Sequence, residues 1–156
     1  MSYHVDEWGE AQALEQCARH LLDMQPIHRR WWAATLFYST YHAVRCSLFK
    51  EPLPVSQPAS SVKASTFAEY ISRRREATGI DESPHKTLKD LVRTNRRGIR
   101  EAYLFMFGIS MDCRYTCNYE LTDDEATFVL KRHSEIMRFV RSELDGMEET
   151  NTSSSS

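Results

Sequence analysis

Arg114-Tyr115-Thr116-Cys117-Asn118-Tyr119 runs straight into Glu120-Leu121-Thr122-Asp123-Asp124-Glu125-Ala126, and the reading of this stretch decides the fold. Thr122 and Glu125 have the spacing of a capping box, in which the hydroxyl reaches a first-turn amide and the carboxylate reaches back. Asp123 and Asp124 add negative charge where the helix dipole is positive. Val129, Ile136, Val140 and Leu144 then recur on one face, so a helix is predicted from Thr122 to about Leu144. The residues before it form a short connector that carries a cation, an amide and a phenol.

Working outward, glycine is scarce and proline falls between segments, which favours helices over a turn-rich β fold. Ser83-Pro84-His85-Lys86 is a helix start, with serine as N-cap and proline in the first turn. The helix it opens is expected over His85–Phe107, with Gly108 as its stop. A shorter helix is expected over Val62–Ala77, and Glu51–Ser61, with three prolines, reads as a loop. Ile27–Phe49 reads as a helix apolar around much of its circumference, hence a central one. Val5–Met24 reads as a first helix with Trp8, Leu14, Cys17, Ala18, Leu21 and Leu22 on one broad face, and Pro26 separates the two. The prediction is an all-α, up-and-down bundle of four to five helices forming a single domain over residues 1–145. Residues 146–156 end in a serine run and are expected to form a disordered tail.

The length suits one domain that folds without a metal or a disulfide. The formal net charge of −2 removes the simplest argument for nonspecific nucleic-acid binding, so any RNA contact needs a local basic patch. No signal peptide is expected, and the sequence shows no membrane-length apolar run, no internal repeat and no Gly-rich phosphate loop. A cytoplasmic location is expected, with Cys17, Cys46, Cys113 and Cys117 as reduced, buried thiols. A zinc site is not expected, because no Cys-x-x-Cys is present. A carboxylate metal bundle needs Glu-x-x-His pairs on two helices, which the chain lacks. No metal and no cofactor are therefore expected.

A second segment, Ala33-Ala34-Thr35-Leu36-Phe37-Tyr38-Ser39-Thr40-Tyr41-His42-Ala43-Val44-Arg45, embeds His42 in an aromatic, apolar helix. Together with the connector it resembles the HEPN family of small prokaryotic helical domains. There an early helix reads like Tyr-Tyr-Ala-x-x-His-Ala-Ala, and a late segment reads like Arg-x-x-Ala-Asp-Tyr before a final helix. The likeness covers roughly Arg30 to Leu144 and lies in the order of the motifs. It implies a homodimer of a toxin–antitoxin or defence system, either cutting RNA without a metal or catalytically silent. A silent module would bind a partner such as a nucleotidyltransferase, for which the tyrosine-bearing connector can be a target.

In the ribonuclease members an arginine precedes a histidine by four to six residues. Histidine moves protons near neutral pH, and a guanidinium orients and neutralises phosphate oxygens. Arg114 matches the arginine, but Tyr119 stands at the near edge of the histidine's place, and tyrosine is a poor base at neutral pH. The family pattern is thus incomplete, which weighs against cleavage unless His42 or His85 reaches Arg114 from another helix of the bundle or from a dimer mate. The expected catalytic residues are accordingly Arg114, His42, His85 and Tyr119, with Asn118 positioning substrate. Arg93, Arg96, Arg97 and Arg100 recur three and four apart and are expected to form a phosphate-following stripe on the fourth helix. Each has a plainer reading as well: a packed histidine or tyrosine, a carbonyl-capping arginine, a solvated helix face. Arg73-Arg74-Arg75 is a second basic cluster, and Trp31-Trp32 either stack on bases or pack against the first helix or a partner.

Overall fold

A computed structural model describes the backbone of residues 3–24, 29–55 and 62–153, and the side chains of 6–21, 29–55 and 62–146. Among the described residues six α-helices make up the bundle: α1 (Tyr3–Met24), α2 (Arg29–Leu48), α3 (Phe67–Thr78), α4 (Pro84–Asn95), α5 (Arg100–Tyr115) and α6 (Asp123–Ser153). Two two-residue strands, β1 (Leu53–Pro54) and β2 (Lys63–Ala64), pair antiparallel between α2 and α3, with Leu53 opposite Ala64. The loop expected there thus closes into a minimal hairpin. Its tip at 56–61, and Pro26 and Ile27 further upstream, lie outside the described residues.

The apolar circumference of α2 makes it the axis of the fold. Trp32, Leu36, Phe37, Val44 and Leu48 are buried on it, and α1, α5 and α6 pack around it. Past its first two residues, Arg29 and Arg30, what remains open to solvent on α2 is one stripe of helical periodicity: Trp31, Thr35, Tyr38, His42 and Arg45. On α1 the buried anchors are Ala11 and Ala18, with Trp8 and Leu21 packed at the margin, while Cys17 is exposed.

Helix ends follow the sequence signals. Thr66 caps α3 by accepting from the Glu69 amide at 3.1 Å, and Glu69 reaches back to the Ser65 amide at 2.8 Å. Gly79 closes α3 at φ 68°, a left-handed conformation that glycine adopts freely, with its N–H donating to Arg75 O at 2.8 Å. Ser83 caps α4 ahead of Pro84, as expected. The capping box at α6 forms in both directions: Glu125 N donates to Thr122 Oγ1 at 3.2 Å, and Thr122 N donates to Glu125 Oε2 at 2.9 Å.

Two boundaries differ from expectation. The helix predicted over His85–Phe107 is two helices, divided at Arg96 and a 3-10 turn over Arg97–Ile99. No proline marks this break; Asn95 and Gly98 flank it, and tertiary contacts hold it. Arg96 donates to Ser47 O at 2.6 Å and Ser47 Oγ at 2.9 Å, and lies 3.6 Å from Glu143 of α6. Ser47 in turn donates to Glu143, and Gly98 comes close enough to α6 that a Cβ there would stand 3.0 Å from Phe139 Cε2. Helix α5 then continues through Gly108, which has open space around its Cα, and ends at Tyr115. Helix α6 also outlasts its expected end near Leu144: the backbone stays helical to Ser153, past the 145/146 boundary assigned to a disordered tail. Met147, Glu148 and Glu149 are good helix formers, and each added residue extends an existing helix at little cost. None of the helices, among the described residues, is long and apolar enough to cross a membrane.

Candidate functional site

Helices α2, α4 and α5 each contribute one polar group to a single aromatic cluster. From the last turn of α5, Arg114 turns back along its own helix, donating from Nε to Ser110 O at 3.0 Å and from Nη1 to the Tyr38 hydroxyl at 2.7 Å. Its guanidinium carbon lies 5.3 Å from the Tyr38 ring centre, 5.8 Å from Phe37 and 5.1 Å from Tyr115, all within cation–π range. His85, in the first turn of α4, packs against the same residues, with its ring 5.7 Å from Tyr38, 6.0 Å from Phe37 and 4.9 Å from Tyr41. Arg114 and His85 therefore meet on Tyr38.

The electrostatics follow from that placement. Burial pushes the His85 pKa below 6.5, and the positive charge of Arg114 adds to the effect. The ring is consequently neutral at pH 7. Among the described residues its Nδ1 is buried without a hydrogen-bond partner. A guanidinium carries five N–H donors; Arg114 spends one on Ser110 O, one on Tyr38 and one, at 3.5 Å, on Met111 Sδ, which leaves two. Lys89, one turn after His85, sits 5.0 Å over Phe107 and adds a second cation to this face.

His42 does not join this pair. Its Nδ1 lies 2.8 Å from Glu7 Oε2, and Arg45 holds the other carboxylate oxygen at 2.7 Å. Glu7 is buried and bridges α1 to the solvent-facing stripe of α2. His42 is thereby an oriented histidine further along that stripe, its ring 5.5 Å from Tyr41.

Tyr119 and Asn118 stand apart. The Tyr119 hydroxyl donates to Glu125 Oε1 at 2.9 Å, and burial together with that carboxylate pushes its pKa well above 10. It braces the capping box of α6 and is no candidate base. Asn118 is exposed with φ 57°, one of the residue types that tolerate the left-handed region, and it shapes the turn. The connector is fastened by Arg30, which donates to Cys113 O at 2.9 Å and Thr116 O at 3.0 Å. Arg30 thus caps carbonyls at the end of α5, while Arg114 also holds a backbone carbonyl, that of Ser110.

The expected arginine stripe does not form. The break at Arg96 puts Arg93 and Arg100 on different helices, Arg96 is consumed by Ser47 and Glu143, and Arg100 pairs with its neighbour Glu101 at 3.2 Å. Arg97 is exposed in the 3-10 turn. The second basic cluster is likewise paired: Arg73 with Glu69, Arg74 with Glu82 and Arg75 with Asp81. Trp32 is buried in the core whereas Trp31 is 62 % exposed.

Tyr38, Glu7 and Arg30 were given no role on sequence grounds. Tyr38 had a signal, since it lies one turn before His42 on the same helical face. Glu7 and Arg30 had none, because their partners are distant in sequence. No family model, no curated protein and no solved structure matches the chain.

Proposed function

We propose that this chain is a HEPN-type domain of a prokaryotic toxin–antitoxin or defence system that acts on RNA, with Arg114 as phosphate clamp and His85 as metal-independent proton shuttle. The observation that carries the reading is the convergence of Arg114 and His85 on Tyr38. A guanidinium with two unspent donors suits two phosphate oxygens, and a neutral imidazole beside it can take a proton from a ribose hydroxyl. The Tyr38 hydroxyl fixes the guanidinium, and His42, set by Glu7, supplies a second imidazole on the same stripe. Trp31 and Tyr115, 62 % and 69 % exposed, offer stacking faces for bases. Lys89 and Arg114 supply the local positive charge that a near-neutral chain must concentrate to hold RNA.

Cleavage of total cellular RNA in EDTA by the purified protein, beside Arg114→Ala and His85→Gln, tests it. The expected result is cleavage by the wild type and a loss of about a hundredfold or more in each variant. No cleavage by a folded, dimeric wild type overturns the catalytic reading.

A second reading, a silent HEPN module that dimerises and binds a partner such as a nucleotidyltransferase, rests on a different observation. The connector is bound up in its own scaffold, with Tyr119 on Glu125 and Arg114 partly spent, while Trp31, Met111 and Tyr115 stand exposed nearby in the fold. Retention of a partner protein by the Arg114→Ala variant, without RNA cleavage by either form, distinguishes this reading from the first.

A further inference from the structure

Away from this cluster a cleft opens between α3 and α4, closed at one end by β1, with a volume of about 390 Å³. That is the size of a small-molecule site. Its walls are apolar where Leu53, Val55, Tyr70 and Leu91 line it, and Val55, Tyr70 and Leu91 are buried residues of the core. The wall of the cleft is therefore continuous with the packed core.

Most polar groups along it are already satisfied. The Thr78 hydroxyl donates to Arg74 O at 2.8 Å. The Thr94 hydroxyl donates to Asp90 O at 2.9 Å, and the Asn95 amide nitrogen to Leu91 O at 3.0 Å. Arg74 lies 2.9 Å from Glu82, which also holds Lys86. The exception is the carboxylate of Asp90. It lines the cleft, it is half-buried, and among the described residues no cation comes within ion-pair distance of it. The segment 56–61 that joins the two strands contains no basic residue to supply one.

A cleft with an apolar wall and one carboxylate that has no ion-pair partner among the described residues favours a ligand with an apolar body and a single positive charge, since the apolar part packs on the wall and the cation makes a charge-assisted hydrogen bond to the carboxylate. We propose that this cleft binds a small primary amine, its ammonium on Asp90 and its hydrocarbon part against Leu53, Val55 and Leu91. This is independent of any action on RNA.

The test titrates the full chain with 2-phenylethylamine and, separately, with the uncharged isostere 2-phenylethanol, following backbone and Asn95 side-chain amides by NMR. The expected result is saturable shifts confined to β1, α3 and α4, with the alcohol binding at least about tenfold more weakly, the scale of one charge-assisted hydrogen bond. Asp90→Asn is expected to reduce amine affinity by the same factor and to leave the alcohol unaffected, whereas Glu101→Gln, on α5, changes neither. Equal affinity for amine and alcohol, unchanged binding by Asp90→Asn, shifts elsewhere in the bundle, or no saturable shift at millimolar amine would each overturn the proposal. Because the Asp90 carboxylate makes no hydrogen bond or ion pair among the described residues, its replacement is not expected to disturb folding, and the amide spectrum of the variant reports this directly.

Discussion

The Arg114 guanidinium donates to the Tyr38 hydroxyl at 2.7 Å across a sequence separation of 76 residues, joining the end of α5 to the middle of α2. Tyr38→Phe keeps the ring that His85 packs on and removes only this bond. Stability is expected to fall by about 1 kcal/mol, the worth of an ordinary hydrogen bond and less than one to a fully buried charged group, because the site is half-exposed. Urea denaturation measures it, and an unchanged midpoint would mean that Arg114 holds its position without Tyr38.

Gly98 allows the chain between α4 and α5 to lie against Phe139, since a Cβ would sit 3.0 Å from Cε2 of that ring. Gly98→Ala is expected to destabilise by about 1 kcal/mol through overpacking. Phe139→Leu should relieve part of that cost, so a double-mutant cycle is expected to show coupling of about 0.5 kcal/mol or more. A Gly98→Ala variant more stable than wild type would show that the ring yields freely.

His133 of α6 is buried where three helices meet: its Nε2 lies 3.1 Å from Ser39 Oγ of α2, and that hydroxyl donates to Ala11 O of α1 at 2.7 Å. Since Ser39 spends its proton on Ala11, His133 must donate from Nε2. Burial lowers its pKa below 6.5, a shift that Arg19 assists and Glu15 opposes. The unfolded chain therefore takes up a proton that the folded one refuses, and stability is lost as pH falls below about 6.5. Comparing denaturation midpoints at about pH 7.5 and pH 5.5, the loss is expected to be smaller in His133→Gln than in wild type. Equal losses would place the acid sensitivity elsewhere.

The four thiols divide evenly by environment, against the expectation that all are buried. Cys17 and Cys117 are exposed, whereas Cys46 and Cys113 are buried, and desolvation pushes each of these two up to about 11. A disulfide reagent near neutral pH is expected to label Cys17 and Cys117 promptly and the other two only on unfolding, because the thiolate is the reactive form. Prompt labelling of all four would mean that the bundle opens around α2 and α5.

The helical class, the central place of α2 and two of the caps were legible because each depends on neighbours a few residues apart: Thr122 with Glu125, Ser83 with Pro84, the apolar girth of α2. The break at Arg96 was not, since its causes, Ser47 and Glu143, are separated from it by some forty-nine and forty-seven positions of chain. The same holds for the site. Arg114 and His85 could be named as candidates from their residue types, but their meeting depends on the packing of α4 and α5 against α2. A periodic arginine pattern, by contrast, was misleading: spacing places residues on one face only while the helix is unbroken.

Arg30 reaches Cys113 O across 83 residues and Arg114 reaches Tyr38 across 76, so both fastenings of the candidate site are long-range. Helices form locally and early, whereas contacts of this separation must first meet the entropy of closing a long loop. During synthesis, α2 leaves the ribosome with Tyr38 in place but no arginine beside it. The aromatic and cationic surface cannot exist until the chain has been made past Thr116 and α5 has docked. Any activity of that surface is thus withheld from nascent chains and truncated products, and belongs to the completed fold alone.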